Sequence, residues 1–172
     1  MTDYFVDPVN GNDGNAGTSW AQAKLTLNGA EDIPVVAGDD VYCGPGVYRE
    51  TLTVDVNGSA GNPITYIADV TGENTDGIGG PCRITGSDDD LSATRASCIS
   101  SSGKIYRTFR GFQFDMFTGD GVGDSNDPTN WIIEDCVFIN TGADSIDFAG
   151  SGQANCTIRR CWFLISIATC RS

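Results

Sequence analysis

The sequence predicts an all-β fold, a right-handed parallel β-helix (solenoid) with a short N-terminal capping helix. Two observations carry this expectation. The first is a repeat: Tyr106–Phe114, Asn130–Phe138 and Asn155–Phe163 superpose at shifts of 24 and 25 residues, and three columns stay apolar, Phe109/Ile133/Ile158, Phe112/Cys136/Cys161 and Phe114/Phe138/Phe163. A unit of that length stacks on its neighbours and holds three short strands with their turns, whereas a left-handed coil would show a hexapeptide period that is absent here. The second is composition. Twenty-two glycines and two lysines in 172 residues oppose a helical protein, while 40% hydrophobic residues supply one core in a chain of single-domain length.

The elements follow in chain order. Tyr4-Phe5-Val6 is a strand signal, and Asp7 to Thr18 is almost pure turn chemistry. Ser19 predicts an N-cap for a helix from about Trp20 to Glu31, with Trp20, Ala23, Leu27 and Ala30 on one apolar face and Pro34 as its stop. Asp39 to Glu50 reads as strand, tight turn, strand; Leu52, Val54 and Val56 alternate as a half-buried strand does. Ile64–Ala68 and Cys82–Thr85 are further strands. The expected organisation is a single domain spanning residues 1–172, with strand, loop and capping helix in 1–38 and rungs in 39–172.

Tyr4 to Asp7, Gly11 to Trp20, Gly38 to Glu50 and Gly61 to Ala68 resemble the N-terminal cap and first rungs of right-handed parallel β-helix proteins of the pectate-lyase-like superfamily. The resemblance implies a helix that plugs the open end of the coil. It does not choose an activity, because lyases, glycosidases, phage tail spikes and inert adhesins share this fold. Asn140-Thr141-Gly142-Ala143-Asp144 is similar to the Asn-Thr-Asp stretch of polygalacturonases, with an insertion before the aspartate and without that family's histidine or Arg-x-Lys elements.

Charge narrows the partners. Twenty-three acidic against ten basic residues give a formal charge of −13, which repels a phosphate backbone and an anionic membrane surface. The first twenty residues carry no secretory signal pattern, and the apolar run Trp162–Ala168 is too short to span a bilayer. The fold suggests an extracellular or virion-associated setting. Seven cysteines without a Cys-x-x-Cys or any histidine exclude the mixed zinc patterns. They read as reduced, buried, small apolar residues, with a disulfide between stacked strands left open, since such strands lie about 4.8 Å apart.

In the aligned rungs Arg110, Glu134 and Arg159 follow each other with alternating sign, and Asp135 meets Arg160; these charges read as devices that fix register. Asp88-Asp89-Asp90 reads as a solvated loop. The same alignment places Asp120 over Asp144, with Asp124 and Asp147 near in sequence. Three readings stand: turn residues that bond local backbone N–H groups, a calcium site built from Asp120, Asp144, Asp124 and Asp147, or Asp120 and Asp144 as the carboxylate pair of a glycoside hydrolase. A polysaccharide lyase would instead need a base among Lys104, Arg107, Arg159 and Arg160. Trp162 lies in an outward column and is a candidate sugar platform. The run from Cys161 to Cys170 is apolar and β-prone, so the last rung predicts an uncapped end that a homo-oligomeric contact or further chain would cover. The leading expectation is a carbohydrate-recognising or structural module without catalysis of its own. The alternatives are a lyase or hydrolase acting on an acidic polysaccharide and a purely structural virion or assembly component.

Overall fold

The computed structural model describes residues 1–33 and 35–164. A first strand, β1 (Asp3–Val6), and a helix, α1 (Leu27–Glu31), precede the repeating part. The chain then lays down β2 (Asp40–Cys43), β3 (Gly46–Tyr48) and β4 (Leu52–Val54) as one rung. The next holds β5 (Ile64–Ala68), β6 (Cys82–Thr85) and β7 (Ile99–Ser101), and the third β8 (Arg107–Arg110), β9 (Gln113–Phe117) and β10 (Val122–Asp124). A fourth holds β11 (Ile132–Glu134), β12 (Val137–Thr141) and β13 (Ile146–Phe148), before β14 (Thr157–Arg159) and β15 (Trp162–Leu164). Each strand pairs in parallel with its equivalent one rung away, giving three sheets: β1-β2-β5-β8-β11-β14, β3-β6-β9-β12-β15 and β4-β7-β10-β13. Three parallel sheets visited in rotation fit a β-helix.

The register reproduces the repeat. Phe109 pairs with Ile133 and Ile133 with Ile158; Phe114 pairs with Phe138 and Phe138 with Phe163. Like side chains therefore stack inside the coil, with Phe114–Phe138 centroids 4.9 Å and Phe138–Phe163 5.1 Å apart. A second ladder runs Tyr66–Phe109–Trp131 at 5.4 and 5.6 Å. Each fully buried side chain of this kind contributes roughly 1.5–3 kcal/mol. The bends are encoded as well. Tyr106, Asn130 and Asn155 share φ of 55°, 59° and 58°, and Gly111, Asp135 and Arg160 share 82°, 57° and 54°. A left-handed residue recurs at the same bend of successive rungs, and asparagine, aspartate and glycine tolerate it best.

The N-terminal cap differs from the expected Trp20–Glu31 helix. Trp20–Gln22 is a single 3-10 turn, Ser19 makes no side-chain cap, and the α-helix is Leu27–Glu31 with Thr26 as N-cap, its hydroxyl accepting the Gly29 N–H at 2.8 Å. The sheet edge explains the break. β1 would present unpaired backbone groups, which a fold must satisfy. Gly17 and Lys24 do so: Phe5 N–H donates to the Gly17 carbonyl, and Lys24 N–H donates to the Phe5 carbonyl while its own carbonyl accepts the Asp7 N–H. Ala23, Leu27 and Ala30 are buried as the apolar face requires. The cap is tied to the coil by Glu31, which takes the Arg107 guanidinium and the Tyr66 hydroxyl (2.7 Å) in a buried cluster.

The Asp88–Asp90 run is solvent-exposed, as expected, and is also cross-linked. Asp90 binds Arg49 and Arg83, Asp88 binds Arg95, and Asp89 accepts from the Leu91 and Ser92 N–H groups. Among the described residues no helix is long and apolar enough to cross a membrane. Pro34 and residues 165–172, which include the second half of the Cys161–Cys170 run expected to end the coil uncapped, lie outside the described residues.

The alternating charges make a tighter knot than a surface ladder. Glu134, 1% exposed, accepts from Arg110, Arg159 and Arg160 at 2.6, 2.5 and 3.0 Å, and Arg160 also grips Asp135 at 2.6 Å. Burial pushes the Glu134 carboxyl up, but Arg159 and Arg110 together outweigh it and hold it below its ordinary value. A depressed carboxylate gives stability that is full above its unfolded pKa and is lost as pH falls through its folded one. Glu134→Gln should therefore cost about 1–3 kcal/mol at pH 7. In urea melts at pH 7 and pH 3, the gap between wild type and variant should narrow at the lower pH.

Candidate functional site

The third sheet carries the site. Leu52, Ile99, Val122 and Ile146 pair in one column, and Thr53, Ser100, Gly123 and Asp147 in the next. Because side chains alternate along a strand, the first column faces the core and the second faces out. At the centre of the outer column stands Gly123. A Cβ placed there would meet only the Asp120 Cβ at 3.8 Å and the Ile99 carbonyl oxygen at 4.0 Å, so the missing side chain leaves open space. The result is a cleft of about 240 Å³ lined by Gly123, Ser97, Ser100, Ser101, Asp120, Asp124 and Asp147.

The carboxylates are not equivalent. Asp120 accepts the Asp144 N–H through Oδ1 at 3.2 Å, a bond across rungs. Asp124 is 2% exposed; its Oδ1 accepts the Gly103 and Asn126 N–H groups at 2.8 and 3.0 Å, and its buried Oδ2 has no partner among the described residues. Its register neighbour Ser101 likewise has a buried, unpartnered hydroxyl. Asp147 makes no hydrogen bond through its carboxylate among the described residues. Gly123 and Asp147 are paired, one strand spacing of about 4.8 Å apart. With Asp120 3.8 Å from the Cβ position of Gly123, the Cβ atoms of Asp120 and Asp147 lie within about 9 Å.

The expected residues are thus divided. The structure brings Asp120, Asp124 and Asp147 to one cleft, while Asp144, stacked over Asp120 as expected, contributes its backbone and does not line it. Among the described residues no three His, Cys, Asp or Glu side chains converge in the way a metal ion requires. Trp162 is 70% exposed and pairs with Val137 on the second sheet, away from the cleft. Of the candidate bases, Arg107 is spent on Glu31 and Arg159 and Arg160 on Glu134; none of them, nor Lys104, lines the cleft. The serines and Gly123 were not singled out from sequence. Gly123 over Asp147 follows from the same 24-residue shift as Asp120 over Asp144. Ser100 does not, because it lies 23 residues before Gly123, one short of that shift.

This architecture has solved counterparts. Two crystal structures of a GH136 lacto-N-biosidase from Eubacterium ramulus are similar to the chain, the selenomethionine derivative with a TM-score of 0.71 at 16% identity and the native protein with 0.66 at 14%. Each comparison covers 95% of this chain and 34% of the other, so the chain spans about a third of those neighbours' length. At such identities the likeness is one of fold. No family model and no curated protein matches the sequence.

The hydrogen bonds separate structural from free carboxylates by experiment. Asp120→Ala removes a cross-rung acceptor and should lower stability by about 0.5–1.5 kcal/mol. Asp147→Ala should change it by no more than about 0.5 kcal/mol. Chemical denaturation of the two variants beside wild type reads both values.

Proposed function

We propose that the chain is a carbohydrate-binding module on a right-handed parallel β-helix of the pectate-lyase-like superfamily, and that the third-sheet cleft holds a neutral glycan. The observation that carries this reading is the lining of the cleft: serine hydroxyls and carboxylates, an open glycine floor, and no basic side chain. Sugar hydroxyls donate to carboxylates in charge-assisted bonds, and serines serve as donor or acceptor. A uronate would instead bring its negative charge against Asp120, Asp124 and Asp147 in a chain of net charge −13. That chemistry favours a neutral glycan over the acidic polysaccharide entertained from sequence. The fold likeness to a lacto-N-biosidase supports a carbohydrate context. Trp162 offers a separate stacking surface on the second sheet within the same reading.

Hydrolysis in the same cleft is the second reading, supported by the presence of Asp120 and Asp147 in one cleft. The bound of about 9 Å on their Cβ separation admits the carboxyl spacings of retaining and inverting glycosidases, about 5–5.5 and 6.5–9.5 Å. Asp147 then replaces Asp144 as partner to Asp120.

Calorimetric titration with neutral oligosaccharides and with oligogalacturonates tests the assignment. Neutral sugars should bind and oligogalacturonates should not; Gly123→Leu, which fills the floor, should weaken binding at least about tenfold, a loss of about 1.4 kcal/mol, with an unchanged melting temperature. Equal binding by Gly123→Leu, or preference for the galacturonates, would overturn it. Release of reducing ends that is lost in Asp147→Asn would establish the hydrolytic reading.

A further inference from the structure

The cysteines of the chain differ in their surroundings, and one pair stands apart. Cys136 and Cys161 occupy the same position in successive rungs, each directly after a left-handed bend residue, Asp135 (φ 57°) and Arg160 (φ 54°). Equal backbone conformation gives the two Cα–Cβ bonds a common direction. The strands leaving them are in register, Val137 opposite Trp162, and the Trp162 N–H donates to the Cys136 carbonyl at 2.9 Å. Their Cα atoms are thus about one strand spacing, 4.8 Å, apart, inside the 4.4–6.8 Å window of disulfides. Both thiols donate to backbone carbonyls, Cys136 to Glu134 at 3.2 Å and Cys161 to Arg159 and Ile133 at 3.4 and 3.5 Å.

Chemistry separates this pair from the others. The neighbouring Cys136 thiol lowers that of Cys161, although burial opposes it, which favours Cys161 as the thiolate of the pair. Cys161 is half-buried and Cys136 fully buried. By contrast, burial pushes the Cys82 and Cys98 thiols up to about 12 and Cys43 up as well. One thiol of the pair is therefore placed as the attacking group and the other as the resolving group.

We propose that Cys136 and Cys161 form a redox-responsive dithiol that closes to a disulfide and staples the rung carrying Trp162 to the rung above it. The oxidant is a small-molecule disulfide such as oxidised glutathione. The Cys161 thiolate attacks one sulfur of the oxidant, forming a mixed disulfide and expelling one thiolate. Cys136 then loses its proton, attacks the Cys161 sulfur and expels the second. Two protein thiols are oxidised and one disulfide is reduced to two thiols, so electrons and protons balance. The bond closes a loop of about 25 residues, whose entropy is removed from the unfolded chain.

The test treats the intact chain with oxidised glutathione at pH 7, then maps disulfides by mass spectrometry of non-reduced peptides. A peptide joining Cys136 to Cys161, with a melting temperature raised by roughly 5–10 °C and reversed by dithiothreitol, is the expected result. Cys136→Ser should instead retain a glutathione adduct on Cys161, and Cys161→Ser should form neither product. Should a variant fail to fold, limited alkylation of the wild-type chain by iodoacetamide at pH 7 gives a second readout, in which Cys161 should react before Cys43, Cys82, Cys98 and Cys136. A link that joins another pair, a stable adduct on wild-type Cys161, or no faster alkylation there would overturn the proposal.

Discussion

Parallel, in-register stacking is the constraint on which everything else rests. Once a strand pairs with its equivalent one rung away, each side chain meets the residue 24 or 25 positions on in the regular rungs, about 4.8 Å away. The same geometry rewards some columns and penalises others. Phenylalanine over phenylalanine buries apolar area and stacks rings, as Phe114 and Phe138 do. Charge over like charge is repulsive, so a charged column survives only with alternating sign or with gaps. Arg110, Glu134 and Arg159 take the first course. Ser100, Gly123 and Asp147 take the second, with a hydroxyl and a glycine before the single carboxylate. One rule thus makes both the core and the cleft.

How much of this could be read from sequence follows from how far the regular spacing extends. The apolar columns, the bends and the Arg–Glu–Arg series are periodic, and the residues announce them directly. The sequence reads as one helix from Trp20 to Glu31 because Trp20, Ala23, Leu27 and Ala30 carry a helical apolar spacing, yet the exposed edge of β1 requires Lys24 as a backbone partner, and this non-local need wins. Ser100 was hidden for another reason. The segment from Ile99 to Phe109 is one residue shorter than that from Val122 to Ile133, so Ser100 lies 23 positions before Gly123, outside the 24-residue shift that puts Gly123 over Asp147. Asp120 over Asp144 was legible as stacking. That stacking gave Asp144 a backbone role could not be read without the hydrogen bond itself.

A surplus of acid makes the distribution of guanidiniums informative. Eight of the ten basic residues are arginines. Arg49, Arg83, Arg95, Arg107, Arg110, Arg159 and Arg160 are all engaged by Asp or Glu. They knit the cap to the coil, the inserted loop to the second sheet, and one rung to the next. The cations are therefore spent on architecture. What reaches the third sheet is a set of carboxylates without counter-charges, which is costly unless solvent or a ligand supplies hydrogen-bond donors.

That asymmetry gives the cleft its chemical character. A carboxylate whose role is purely structural has its oxygens occupied, as in Glu134, which three arginines hold, or in Asp89, which binds backbone N–H groups. In the cleft Asp120 has one oxygen committed and Asp147 none among the described residues, while Asp124 keeps its second oxygen buried and unpartnered. Leaving acceptors uncommitted around an unfilled glycine floor contributes nothing to the fold that a valine at position 123 and a serine at 147 would not supply better. Acceptors held open on a rigid sheet are instead the arrangement that a ligand rich in hydroxyl donors requires, because the entropy of positioning them has been met by folding rather than by binding.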